Sequence, residues 1–168
     1  MKTLLLMIAV CAGLAIAGCG SSDDSSTGSS EGTTVTAESG GGAVIGKREP
    51  KVTVPKGAPP KKLEVKDLEE GSGAEAKSGD KVTVQYVGVN YKNGKEFDSS
   101  WSRNEPFPLT LGAGEVIPGW EQGIEGMKVG GRRELIIPPE LAYGETGYPP
   151  SIPPNETLVF VIDLLEVE

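Results

Sequence analysis

Gly112-Ala113-Gly114-Glu115-Val116-Ile117-Pro118-Gly119-Trp120-Glu121 is the stretch on which the fold turns. Pro118 suits the first position of a helix, where its missing N–H is no loss and its fixed φ is already helical. Trp120 and Ile124 then lie four residues apart, on one face of that short helix. On both sides the chain changes period. Val82, Val84 and Tyr86 share one face of a strand, with Thr83 and Gln85 on the other. Asn93-Gly94 signals a hairpin, because both residues tolerate positive φ. Further strands are predicted over Phe107–Leu111, Arg132–Ile137 and Thr157–Val167, and Leu63–Leu68 is expected to join the same sheet. No long helical periodicity and no internal repeat is present. The pattern predicts an α+β domain, a small antiparallel β-sheet wrapped around one short α-helix. Residues 63–168 suffice for one core without crosslinks.

Composition removes several classes of function. The 168-residue chain has a net charge of -8, which lacks the basic footprint of a nucleic-acid binder. It contains no histidine, so imidazole-based catalysis and histidine-ligated metals are excluded. Its two cysteines, Cys11 and Cys19, both precede the domain, which therefore holds neither a disulfide nor a thiol nucleophile. No metal and no cofactor is expected.

The first 18 residues read as a signal peptide: Lys2, an apolar run from Leu4 to Ala17, then small residues. That run is shorter than the ~20 residues of a spanning helix. Leu14-Ala15-Ile16-Ala17-Gly18-Cys19 resembles a bacterial lipobox, which implies lipidation at Cys19 and an extracytoplasmic chain anchored to the cell membrane. Two or more acyl chains hold a protein stably, where one is marginal.

Residues 19–62 are expected to form a tether. The Ser/Gly/Thr-rich part to residue 43 cannot bury enough apolar surface to offset its ordering entropy. Residues 44–62 carry Pro50, Pro55, Pro59 and Pro60 among lysines and are expected to be extended and semi-rigid. About 40 such residues reach roughly 35 Å. The lysines face water or, alternatively, touch an anionic lipid or wall polymer.

Three local patterns carry no function. Gly71-Ser72-Gly73-Ala74-Glu75-Ala76 fits a dinucleotide fingerprint, but Gly79-Asp80 stops the helix it would need, and Glu69, Glu70 and Glu75 would repel a pyrophosphate. Asn155-Glu156-Thr157 is a glycosylation sequon in pattern only. Asp23-Asp24 lacks the spaced ligands of a calcium loop.

The aromatic residues Tyr86, Phe97, Phe107, Trp120, Tyr143, Tyr148 and Phe160 stand on separate short elements bordered by Gly- and Pro-rich loops. They form either a core or the walls of a binding pocket. Four segments, taken together, resemble the FKBP family of peptidyl-prolyl isomerases. They are Gly94-Lys95-Glu96-Phe97-Asp98-Ser99-Ser100, Gly112 to Glu121 as quoted above, Ala142-Tyr143-Gly144, and Ile152-Pro153-Pro154-Asn155-Glu156-Thr157-Leu158-Val159-Phe160. They occur in the family's order and with its spacing, across nearly all of residues 63–168.

The resemblance implies a pocket for a proline ring, with Trp120 as its floor and Tyr86, Phe97, Phe107, Val116, Ile117 and Phe160 around it. It implies hydrogen bonds from the Ile117 N–H and the Tyr143 hydroxyl to bound carbonyls. Asp98 would pair with Tyr86 and Arg103, either orienting them or acting on the substrate. Tyr148 and Ile152 belong to the substrate-binding rim by the same resemblance. Tyr148 stands where many members have histidine and Ser151 where isoleucine is usual, which bears on preference before proline and on macrolide affinity. The implied activity is cis-trans isomerisation of Xaa-Pro bonds during folding of secreted or envelope proteins, by a monomer that also meets macrolide inhibitors. The rival reading is a lipoprotein that binds proline peptides or macrolides without turnover.

Overall fold

A computed structural model describes Gly46 and residues 48–168, which belong to one compact unit, Ala37–Glu168. The segment read as a signal peptide, Cys19 and the Ser/Gly-rich part of the expected tether lie outside the described residues. Six strands and two short helices follow in the order β1 (Glu64–Glu69), β2 (Lys81–Asn90), β3 (Glu96–Ser99), α1 (Ser100–Arg103), β4 (Phe107–Thr110), α2 (Pro118–Ile124), β5 (Arg132–Ile137) and β6 (Leu158–Val167). A single 3-10 turn, Pro139–Leu141, follows β5. The sheet is antiparallel with strand order β1-β5-β6-β2-β3, and β4 pairs with β2.

The expected alternation along β2 sorts residues between two faces. Val82, Val84 and Tyr86 enter the main core with Leu135, Ile137, Leu158, Phe160, Ile162 and Leu164. Helix α2 covers this face. Pro118 is at its start, and both Trp120 and Ile124 are buried, as their spacing predicts. Its close approach needs Gly123, where an added Cβ would stand 2.5 Å from Leu135 Cδ1. Arg133 closes the far end of α2, its Nη1 donating to the Gly123 and Glu125 carbonyls at 2.9 and 3.2 Å while its Nε bonds Asp67 on β1.

The opposite face corrects the expected extent of the tether. Val87, Val89, Tyr91, Ile136 and Val159 form a second apolar cluster, and Val52, Val54 and Trp101 pack onto it. Residues 48–60 form no strand and bend at 56–58, and Val52 and Val54 lay the segment on the domain rather than leave it free. The alternation Val52-Thr53-Val54 places both valines on one side. Sheet residues left apolar on this face would otherwise contact water. At its start the strap is clamped by a buried ion pair. Arg132 Nε and Nη2 donate to Asp163 at 2.6 and 2.7 Å, Asp163 also accepts from the Gly46 N–H, and Arg132 donates to the Arg48 carbonyl.

Two local expectations change. Only Gly94, not Asn93, takes positive φ in the hairpin between β2 and β3. The turn is longer than two residues, closed by Gly94 N–H to Asn90 O and Asn90 N–H to Lys95 O. Helix α1 was not foreseen. Its signal is Ser99, whose side chain accepts from the Ser102 N–H as an N-cap, with Asn104 in the left-handed region at its end.

Candidate active site

Between α2, the sheet and two loops lies a cavity of about 460 Å³. Its base is Trp120, 4% exposed and carried by α2. Rings from four strands stand nearly perpendicular to the indole or to one another. Tyr86 of β2 lies 4.9 Å from Trp120 at 81°, Phe160 of β6 at 5.2 Å and 86°, and Phe107 of β4 at 6.2 Å and 80°. Phe97 of β3 stands edge-on to Phe160 at 5.5 Å. Edge-to-face pairs of this kind favour one arrangement over a loose cluster. Phe97 and Phe160 lie directly over Gly88, where a Cβ would come within 2.7 Å of both rings. The result is an apolar slot with rigid walls.

One corner is polar. The Tyr86 hydroxyl donates to Asp98 Oδ2 at 2.5 Å, Arg103 Nη2 donates to the Tyr86 oxygen at 2.8 Å, and Arg103 Nη1 pairs with Asp98 Oδ1. The guanidinium also lies 5.7 Å from the centre of the Tyr86 ring. Burial first, then the hydrogen bond to Asp98, pushes the Tyr86 phenol up to about 12, against the opposing pull of Arg103. Asp98 is therefore engaged by two donors, which holds it as an acceptor and orients the Tyr86 ring.

At the mouth stand two further donors. Ile117 precedes α2, and its N–H has no partner among the described residues, while its carbonyl accepts from the Trp120 N–H at 2.9 Å. The loop before it is braced by carboxylates: Glu115 accepts from Thr110 N–H and Glu121 from Gly114 N–H, both at 2.8 Å. Tyr143 hangs over the cavity from the loop after the 3-10 turn and is 38% exposed. Burial, then the charge of Asp98, raises its phenol above the usual value, so it stays a proton donor.

The structure thus gathers Tyr86, Phe97, Asp98, Phe107, Val116, Ile117, Trp120, Tyr143 and Phe160 around one cavity. Glu115 also lines it, a residue quoted in a motif but given no role by the sequence reading. Two residues expected at the substrate rim are not among the lining residues. Tyr148 is 65% exposed and outside the lining, its ring 5.8 Å from that of Tyr143. Ile152 is buried in the main core. It instead holds the loop closed, exchanging backbone hydrogen bonds with Tyr148 at 2.8 and 2.9 Å. The apolar residue at the end of a tight loop turned inward because the core lies directly beneath it.

The lining contains no serine, cysteine, histidine or lysine, and among the described residues no three potential ligands gather as a metal site. Such a cavity can hold an apolar ring of modest size and offer donors to flanking carbonyls. The model of the family described as FKBP-type peptidyl-prolyl cis-trans isomerase matches residues 73–165. An FK506-binding protein of Streptomyces anulatus is 55% identical over 120 residues, covering 71% of this chain and 97% of its own. Among solved structures, FkpA from Escherichia coli superimposes with a TM-score of 0.58 at 48% identity, over 63% of this chain and 48% of that one. AtFKBP13 superimposes with a TM-score of 0.59 at 42% identity, over 63% of this chain and 93% of that one.

Proposed function

We propose, from the premise that the chain belongs to the FKBP-type peptidyl-prolyl cis-trans isomerase family, that its aromatic cavity isomerises Xaa-Pro bonds in proteins folding outside the cytoplasm. The family match spans more than half of the chain. The observation that carries the reading is the Trp120-floored cavity with the free Ile117 N–H and the Tyr143 hydroxyl at its mouth.

The chemistry follows from amide resonance. Rotation about a peptide bond meets a barrier of ~18–20 kcal/mol, mostly lost conjugation. Unaided Xaa-Pro exchange takes tens to hundreds of seconds. The twisted transition state is less charge-separated than the planar amide, so an apolar slot disfavours the ground state more than the twisted form. Only that difference accelerates the reaction. A thousandfold gain needs about 4 kcal/mol of it. The proline ring lies on Trp120, walled by Tyr86, Phe97, Phe107, Val116 and Phe160. The Ile117 N–H and Tyr143 hydroxyl hold the flanking carbonyls while the bond turns. Asp98 acts through Tyr86 and Arg103 as the fixed polar corner. No covalent step is involved.

The leader and Cys19 support placement of the enzyme outside the cytoplasm on a lipid anchor, with proline-containing polypeptides as substrates and a monomer as the working form. Because its relatives bear the name FK506-binding protein, macrolides are proposed as competitors for the same cavity.

Cis-trans exchange of an Ala-Leu-Pro-Phe peptide, followed by NMR with the full chain in detergent, tests the activity. Acceleration that falls sharply in Trp120→Ala while the fold persists is expected. A folded wild type that leaves the exchange unchanged refutes turnover and favours a binding role. Fatty-acid labelling tests the anchor: label on the wild type and none on Cys19→Ser is expected, and an unlabelled wild type refutes lipidation there.

A further inference from the structure

The Asp98 corner is supported from the far side of the sheet. Ser99, 1% exposed, donates its hydroxyl to Glu49 Oε1 at 2.9 Å and accepts from the Ser102 N–H, fastening the start of α1 to the strap. The next residue, Ser100, is fully buried, accepts from the Tyr86 N–H at 2.8 Å and also bonds Gln85. One turn later Arg103 leaves the same helix to grip Asp98 and Tyr86. Helix α1 has only four residues and makes too few internal hydrogen bonds to persist alone. Its position depends on what holds Ser99 and Ser100.

The strap is itself fixed on either side of Glu49. Gly46 and Arg48 are held by the Arg132–Asp163 pair, and Val52 and Val54 are packed on the outer cluster. Glu49 is therefore presented to Ser99 by a segment anchored at both ends, upstream of the residues that match the family. We propose that Gly46 and residues 48–54 are a working part of the isomerase site, with Glu49 the positioning residue that sets the Asp98–Arg103 corner through Ser99. The hydrogen bond of Glu49 goes to Ser99, which is not a lining residue of the cavity. It acts by fixing where α1 begins, hence where the Arg103 guanidinium meets Tyr86 and Asp98.

The inference rests on the isomerase reading for its kinetic consequence, while its structural half is read without substrate. Full-length Glu49→Ala and Glu49→Gln chains are compared with wild type by peptide exchange and by NMR of the arginine side-chain N–H groups. Glutamine keeps an acceptor for the Ser99 hydroxyl and alanine does not. In Glu49→Ala the Arg103 signals should shift and exchange faster with water, those of Arg132 and Arg133 should stay, and kcat/KM should fall about fivefold, the worth of one ordinary hydrogen bond. Glu49→Gln should restore both. Unmoved Arg103 signals in Glu49→Ala overturn the proposal, as does a glutamine variant that behaves like alanine. Moved signals with unchanged kcat/KM in an active wild type overturn the functional role. An inactive wild type would instead refute the isomerase reading and leave the NMR comparison to judge the strap.

Discussion

Gly88→Ala adds one methyl group beneath the pocket wall, and its effect can be worked from the geometry. Gly88 is not among the glycines at positive φ, so alanine meets no backbone penalty. The new Cβ would stand 2.7 Å from Phe160 Cε1 and 2.7 Å from Phe97 Cζ. Carbon atoms settle at about 3.5–4.0 Å. Both rings must therefore move by about 1 Å, and the sheet beneath leaves them one direction, into the cavity. Overpacking of this kind costs about 1–3 kcal/mol. A misplacement of about 1 Å in a positioning group lowers rate by up to ~10²-fold. Urea unfolding of the full chain should show the first loss, and peptide exchange should show kcat/KM reduced between tenfold and a hundredfold. The activity loss should exceed what the small stability change accounts for at a temperature where the variant is folded. Wild-type kcat/KM with unshifted Phe97 and Phe160 ring resonances would refute the reasoning, since the rings would then not rest on the strand at Gly88.

Three further outcomes are expected. Tyr86 has its phenol raised from 10 to about 12, so its contribution to stability is complete below pH 10 and is lost as pH rises to about 12. The loss is at most about 3 kcal/mol, reduced by solvent at the cavity wall, and Tyr86→Phe should flatten that part of the pH-stability curve. Tyr86→Phe should also lower stability at neutral pH by about 1–3 kcal/mol, read by urea denaturation, because Asp98 and Arg103 lose a shared partner. Asp163→Ala strands the buried Arg132 guanidinium and should cost about 3–5 kcal/mol, with Arg132→Met/Asp163→Leu recovering most of it.

The site was legible where chemistry coincides with local pattern. Pro118 at a helix start, Trp120 and Ile124 four apart, and the alternation of Val82, Val84 and Tyr86 each need only neighbours along the chain to be interpreted. Aromatic residues on separate elements suggested a cavity or a core, and the family-like motifs favoured the cavity. The motif gave Ile152 its place on a loop but not its burial, which depends on the core beneath that loop. Tyr148 sits on that same loop beyond the cavity lining. Glu49 was invisible for a plainer reason. A lone acidic residue in a Pro/Lys-rich stretch has no local signature, and its partner Ser99 is 50 residues away.

By itself, then, the order of residues determined the strands and helix α2, the sheet's two-faced alternation, the absence of imidazole and thiol chemistry from the domain, and the aromatic residues available for a pocket. These follow from backbone sterics and side-chain period, which act over a few residues. Tertiary structure alone decided which rings meet at Trp120, that Ile152 turns inward, and that Val52 and Val54 cover the sheet's far face. It also decided that the presumed tether begins its contact with the domain by residue 46, well before Leu63. Those outcomes depend on burying apolar surface and pairing buried charges between segments far apart in the chain, and distance in space is not written in the local sequence.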